Sequence, residues 1–443
     1  MASRLRRSVY LLDNLEKAWR VIQDNGRLSK SEEVRARLAE FSEDAPHKLR
    51  SLHARLKAGS FTFPKSTGIP IEKRDERGRK TGKFRPIVLA SVEARVVQRA
   101  ILNVLVDVPS LQPYVKTPFS FGGMRKETVQ KSVRERDGGR RSDNPSAVPA
   151  AIASVLEAVK LGGRYVAMAD IRAFFTRIRK SDVSAIVGSC VQDSEFMLLF
   201  DDAIHVELDN MAELRERVAE FPIEDVGVAQ GNSLSPLLGN IVLSDFDRIT
   251  NSEDCRCIRY IDDFLIIGPS ERAVNAKLRR AIAVLDDLGM ELSPEKSSKG
   301  ARPIREGFDF LGISIAPGFV RPSGKARAKL LASIQTQFDE SIQSFRASQK
   351  GKPLERPKSL LATLKRVDGM VEGWGKHYWF CNDSSVLDSM DNSIQSKIRD
   401  YLGSYRSIRS ETSEAMRSAL MGVSELRDIP REPFEFPKVD LTR

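Results

Sequence analysis

Two adjacent carboxylates, Asp262 and Asp263, interrupt the apolar run IRYIDDFLIIG at residues 258–268. Asp favours turns, so a strand–turn–strand hairpin would accommodate the pair at its tip. The flanks, Tyr260-Ile261 and Phe264 to Ile267, would hold that tip close to buried surface. Two like charges kept together there raise each other's pKa and cost free energy. A divalent cation removes the cost, and Mg²⁺ takes oxygen ligands from one or two carboxylates plus substrate phosphates. A third carboxylate, Asp170, ends the apolar stretch YVAMA and precedes a bend. Alone it would read as a helix cap or a turn residue. On a strand next to the Asp262-Asp263 hairpin in one antiparallel sheet, it would complete a three-carboxylate cluster. Two Mg²⁺ ions about 3.5–4 Å apart, with Mn²⁺ as the alternative ion, could then clamp the attacking and leaving oxygens of an in-line phosphoryl displacement. Such chemistry requires no His or Lys base, which suits a chain with four His.

The elements that must position these residues follow from pattern. Residues 1–60 read as helices, with Leu49, Leu52 and Leu56 at helical spacing before Gly59. IPIEKRDERGRKTGKFRPIVLA reads as a β-hairpin with its tip at Asp75–Gly82. SVEARVVQRAILNVL is an amphipathic helix, residues 131–147 a polar loop, and IASVLEAVKLGG a helix stopped by Gly. RYVAMADIRAFF is a strand running into a turn. Residues 181–221 are mostly helical, and VAQGNSLSPLLGNIVLSDFD is a loop entering a helix. A helix over ERAVNAKLRRAIAVLDDLG and strands around GFDFLGISI follow. Beyond Pro322, Leu331, Ile334, Phe338, Ile342 and Phe345, and then Leu360, Leu364, Val367, Val371, Trp374 and Tyr378, mark two amphipathic helices joined by KGKPLERP. Trp374 and Tyr378 sit on the apolar stripe, so core packing is their expected role.

With 443 residues, 41% hydrophobic and 30% charged, the chain is globular and long enough for two or three domains. Net charge is +11, and residues 1–100 hold 23 Lys/Arg against 12 Asp/Glu, so the remainder balances at 48 against 48. A basic excess concentrated in the first quarter points to a polyanion, nucleic acid first. No apolar run approaches a membrane span and no secretory leader is expected. Four irregularly spaced Cys fit a reducing cytoplasm; Cys255-x-Cys257 lacks a second pair at zinc spacing.

Five blocks occur in order: Arg85-Pro86-Ile87; Asp170 with Phe174-Phe175; Gln230-Gly231 with Ser235-Pro236; Tyr260-Ile261-Asp262-Asp263; and Phe310-Leu311-Gly312. Together they resemble the reverse transcriptases, most of all the bacterial branch that includes group II intron, retron, diversity-generating and abortive-infection enzymes. A lone Tyr-x-Asp-Asp is a weak signal; five ordered blocks over roughly residues 45–380 are strong. The resemblance implies an α+β right-hand polymerase with fingers, an antiparallel-sheet palm and a helical thumb. Its parts would be an N-terminal helical region (1–60), fingers and palm (61–320), and thumb with C-terminal extension (321–443). It implies metal binding by Asp170, Asp262, Asp263 and the Ile171 carbonyl. Lys73 and Arg85 would meet the incoming triphosphate, with Lys83 as the alternative to Lys73. Phe175 would lie under the sugar and exclude a 2′-hydroxyl, and Gln230 would lie beside nucleotide and template. Lys296 would assist pyrophosphate departure, while Tyr260, Phe310, Leu311 and Gly312 would support the primer end. The implied partners are an RNA template, including a dedicated non-coding RNA, dNTPs and a DNA product; the oligomeric state stays open.

The chain departs from the retron and diversity-generating patterns at FVRPSGKARAKL and QGNSLSP. It also lacks the Cys/His clusters of full intron proteins. A free-standing, defence-associated enzyme is the expectation that remains. The alternatives are a maturase-like RNA-binding protein and a template-independent polymerase.

Overall fold

The computed structural model describes residues 4–27, 29, 31–74, 80–123, 147–424, 426, 429, 431 and 433–436. The chain divides into two compact units, Met1–Pro303 and Ile304–Arg443.

The first unit is mixed α+β. Its helical core forms around Val92–Leu105, where Val96, Val97, Ala100, Ile101 and Leu105 are fully buried. Ser91 starts this helix by accepting the Ala94 N–H, which satisfies one of the donors a helix N-terminus leaves unpaired. The N-terminal helices Leu12–Arg27 and Ala45–Ala58 share that core. Asn14 donates to the Ala100 carbonyl at 3.1 Å and accepts from Asn103 at 2.9 Å, so the N-terminal region is locked to the rest of the unit by polar as well as apolar contacts.

Strands β1 (Thr67–Arg74) and β2 (Lys80–Leu89) form an antiparallel hairpin with a register shift between Glu72 and Arg74. Of the tip expected at Asp75–Gly82, residues 75–79 lie outside the described residues, and Lys80 to Gly82 already belong to β2. The polar loop expected at 131–147 falls outside them too, except Ala147, which begins a helix. The hairpin base is pinned by Asn210, which accepts the Gly68 N–H and donates to the Gly68 carbonyl.

Strands β3 (Tyr165–Asp170), β4 (Arg256–Tyr260), β5 (Asp263–Gly268) and β6 (Arg302–Pro303) form a sheet in the order β4-β5-β3-β6. The paired strands run antiparallel. β5 is central and reads as a continuous apolar run because both its faces are covered. Phe264 on β5 meets Phe246 edge to face at 5.1 Å.

The second unit opens with the meander β7 (Phe308–Phe310), β8 (Ile313–Ala316) and β9 (Phe319–Pro322). Helices Gly324–Gln349, Leu360–His377 and Ser384–Ser410 follow. On the first of these, Leu330, Ile334, Phe338 and Phe345 form the buried stripe. Leu331 and Ile342, expected on that stripe, are only partly buried, because Leu330 and Ser341 take the inward positions. Trp374 and Tyr378 are half-buried and pack on each other at 4.6 Å, with Trp374 against the unit's core. Ser384–Ser410 supplies Tyr401, which stacks on Phe338 at 4.4 Å. Among the described residues no helix is long and apolar enough to cross a membrane.

Candidate active site

Antiparallel pairing brings the separated carboxylates together. β3 and β5 are registered so that Asp170 lies directly across from Asp263, and Asp263 lies across from Tyr260 on β4. Asp263 is therefore the first residue of a strand, not a hairpin tip. Ile261 and Asp262 form the two-residue turn between β4 and β5. Ile261 has φ +62°, a left-handed conformation at the turn position usually given to glycine. A β-branched residue there carries strain of about 1–3 kcal/mol, so the surroundings must hold it. Its side chain covers Gly122, where an added Cβ would come within 2.4 Å of Ile261 Cγ1. The next residue is tied in as well, since Ile171 donates its N–H to the Asp262 carbonyl at 3.0 Å.

Like charges directly opposite on neighbouring strands are destabilising, and at Asp263 that cost adds to burial. Burial pushes the Asp263 carboxyl up to about 7, with further contributions from a hydrogen bond to Asp170 and from the Asp262 and Asp170 charges. Burial and the Asp170 charge raise Asp262, against the opposing pull of Lys296 and Arg85. Asp170 itself is 5% exposed. Its partner is Lys296, whose Nζ donates to Asp170 Oδ2 at 2.7 Å. Burial pulls the Lys296 ammonium down, but that bond and the three aspartate charges outweigh it, so its pKa rises.

The segment carrying Lys296 is placed by β3. Ser293 and Ser298 donate backbone N–H groups to the Asp170 and Met168 carbonyls. The Ser297 and Ser298 hydroxyls accept the Asp170 and Met168 N–H groups at 3.2 and 3.1 Å. LSPEKSS thus completes the exposed edge of β3 with alternating backbone and hydroxyl bonds. Lys83 on β2 reaches Glu295 in the same segment at 3.4 Å. Lys73 on β1 and Arg85 on β2 complete a cationic wall. Burial and the charges of Arg85, Lys296 and Lys83 depress the Lys73 pKa, and Asp170 opposes them. Lys73, Arg85 and Lys296 act on the three carboxylates, while Lys83 is paired with Glu295, an arrangement that suits an anion held beside a hard cation.

Phe174 and Phe175 follow Ala173, which has φ +51°, and lie in a 3₁₀ turn after the strand. Phe174 is 2% exposed, whereas Phe175 is half-buried. Val228 donates its N–H to the Phe175 carbonyl at 2.8 Å, and Gln230, two residues on, bridges to Ile87 of β2. Tyr260 is half-buried, and burial raises its phenol. Phe310, Leu311 and Gly312 belong to the second unit. Leu311 and Gly312, at φ +52° and +79°, form the two-residue turn between β7 and β8. Cys257, in β4, is buried and its thiol is pushed up to about 12 by desolvation.

Among the described residues no three His, Cys, Asp or Glu side chains close into a ready-made metal cage. The donor set nonetheless fits a divalent cation. A contacting Asp170–Asp263 pair with Asp262 beside it is an oxygen-only cluster that Lys296 meets directly through Asp170. Ile171 lies beside it through its bond to Asp262.

Sequence reasoning missed Arg259. It is 1% exposed, the largest fully buried side chain of the unit among the described residues, and forms a two-pronged ion pair with Asp247 at 2.8 and 2.6 Å. The available signal was a lone charge inside the apolar run Cys257-Ile258-Arg259-Tyr260.

The reverse transcriptase (RNA-dependent DNA polymerase) family matches residues 71–315 of the chain. Protein YkfC of Escherichia coli strain K12 is 24% identical over 176 residues, 38% of this chain and 38% of that protein. The chain therefore spans well under two thirds of that relative. A partial Cas6-RT-Cas1–Cas2 complex aligns with 63% of this chain and 42% of its own at 17% identity and a TM-score of 0.32. An apo telomerase from Candida tropicalis truncated from its C-terminal domain aligns with 59% and 55% at 14% identity and a TM-score of 0.37.

Proposed function

Since the chain belongs to the reverse transcriptase family, we propose that it is an RNA-directed DNA polymerase that extends a primer with dNTPs. The observation that carries this reading is the register pairing Asp170 with Asp263, beside a wall of Lys73, Arg85 and Lys296. In this reading Asp170, Asp262, Asp263 and the Ile171 carbonyl hold two Mg²⁺ ions, or Mn²⁺. Bound there, divalent cations lower the pKa of the primer 3′-hydroxyl and neutralise the triphosphate and the departing pyrophosphate. Lys73 and Arg85 orient the triphosphate, with Lys83 standing in for Lys73 if the hairpin shifts. Lys296 holds a proton at Nζ next to Asp170 and supplies it to the pyrophosphate. Phe175 packs under the deoxyribose, and Gln230, tied to β2 through Ile87, borders nucleotide and template. Tyr260 supports the primer end, as do Phe310, Leu311 and Gly312. The β1–β2 hairpin corresponds to fingers, the four-stranded sheet to a palm, and the helices after Pro322 to a thumb.

The test is dNTP incorporation on a primed RNA template, with Asp262→Asn/Asp263→Asn as control. Incorporation by the wild type and none by the double variant is expected; full activity in the variant refutes the metal assignment. An antiphage defence role, with a dedicated non-coding RNA as template, is supported by the departures at QGNSLSP and FVRPSGKARAKL from the retron and diversity-generating patterns. Phage plating on cells carrying wild type or the Asp262→Asn/Asp263→Asn variant tests it, equal plating being the refuting result.

A further inference from the structure

The turn that carries Asp262 sits in a conformation its own sequence disfavours, and one buried side chain grips it. Arg259 Nη1 donates to the Ile261 carbonyl at 3.0 Å. Its Nε and Nη2 bind the two Asp247 oxygens, and Nη2 also donates to Asn240 Oδ1 at 3.1 Å. Asn240 is held in turn: the Ser120 hydroxyl donates to its Oδ1 at 2.9 Å, and its Nδ2 donates to the Tyr114 carbonyl at 3.1 Å. The Arg259 backbone is clamped between Phe119 and Phe121, accepting from the Phe121 N–H and donating to the Phe119 carbonyl. Asp247 and Asn240 lie on two successive helices, Ser244–Thr250 and Ser235–Val242. The guanidinium therefore ties those helices to the Ile261 carbonyl of the aspartate turn.

A buried ion pair needs more than mutual attraction to account for it, because apolar residues of the same volume stabilise a core at least as well. This pair has a further feature that an apolar replacement would lack, a donor fixed on the Ile261 carbonyl. We propose that Arg259, oriented by Asp247 and Asn240, is a positioning residue that holds Ile261 in its left-handed conformation and so aims Asp262 and Asp263 at Asp170 for metal binding. The proposal rests on the polymerase reading of the site. Arg259 touches no substrate; it acts through the turn.

The experiment separates folding from positioning. Arg259→Met/Asp247→Leu removes the buried pair as a unit, so the core stays filled and no charge is stranded. Melting temperature and affinity for a primer–template duplex in EDTA are expected to match wild type. Mn²⁺ binding, followed by electron paramagnetic resonance, is expected to weaken about 10–100-fold, the range for partners that orient metal ligands. Arg259→Lys keeps a cation opposite Asp247 but cannot span both Asp247 and the Ile261 carbonyl. It is expected to lose Mn²⁺ affinity in the same way, and it serves if the double variant does not fold. Mn²⁺ affinity within twofold of wild type in either folded variant overturns the proposal. A wild type that neither binds Mn²⁺ nor incorporates dNTPs overturns the polymerase reading itself and this proposal with it; normal wild-type behaviour confines any failure to Arg259.

Discussion

Phe174 and Phe175 are neighbours with different environments, and exchanging each for alanine should separate stability from sugar choice. The Phe174 ring is 2% exposed and stands over Gly239, where an added Cβ would lie 2.8 Å from Cε1 and 3.0 Å from Cζ. Phe174→Ala empties that site, and a fully buried Phe→Ala change costs about 3–5 kcal/mol. At about 2 °C per kcal/mol for a large unit, the melting temperature should drop by about 6–10 °C. Phe175 is half-buried, so Phe175→Ala loses only part of those transfer and cavity terms, about 1–2 kcal/mol. If its ring lies under the sugar, its removal opens room for a 2′-hydroxyl, and the ratio of rNTP to dNTP incorporation should rise at least about tenfold, the lower end of what one small group does in a packed pocket. Gly239→Ala supplies a check on the geometry. Its Cβ collides with Phe174, a small-to-large change costing about 1–3 kcal/mol, and the penalty should shrink in a Phe174→Leu background, since residues in contact are not additive. The assays are thermal unfolding and single-nucleotide incorporation on one RNA template. If Phe174→Ala melts like wild type and accepts ribonucleotides, or Phe175→Ala still rejects them, the placement of both rings is wrong.

Three further outcomes are expected. A folded-state pKa raised to about 7 at Asp263 means that its contribution to stability is present at acid pH and is lost as pH rises from the ordinary carboxylate range through that value. In EDTA, the melting temperature of Asp263→Asn minus that of wild type should therefore grow from about pH 5 to about pH 8 and shrink on adding Mg²⁺; a flat difference refutes a carboxyl raised by burial and its acidic neighbours. Lys296→Ala removes the cation bonded to the buried Asp170 carboxylate, so without metal the unfolding free energy should fall by about 1–3 kcal/mol while single-turnover incorporation falls; unchanged incorporation would remove Lys296 from the reaction. Lys325, Arg327 and Lys329 open the helix Gly324–Gln349, and Arg321, paired with Asp383 at 3.3 Å, is left in place. Changing the first three to Ala should flatten the slope of log affinity against log salt by up to about 2–3, near 0.9 for each phosphate that is no longer neutralised, and an unchanged slope would turn this face away from nucleic acid.

Much of this protein was legible from local chemistry. The helix over Val92–Leu105 and the strands YVAMAD and DFLIIG follow from apolar period and capping residues, which act over a few neighbours. The aspartate pair announced itself because two charges inside an apolar run require a reason. Other features depended on pairing between distant segments, which no local pattern encodes. Asp170 and Asp263 meet because β5 lies between β3 and β4 in one register, and a slip of one residue would have put either on the opposite face. Lys296 reaches Asp170 because serine hydroxyls take over the hydrogen bonds of a strand edge, so LSPEKSS, which carries no strand pattern, behaves as part of the sheet. The turn expected after YVAMAD is there, but its 3₁₀ form, with Phe174 buried and Phe175 half-buried, depends on Ala173 adopting a left-handed conformation that only its surroundings enforce. Arg259 shows the division most plainly. In sequence it is one basic residue on a strand; in the folded chain its partners Asn240, Asp247 and Ile261 come from two helices and a turn. A side chain's type is written locally, but its burial, charge partners and strain belong to whatever the fold packs around it.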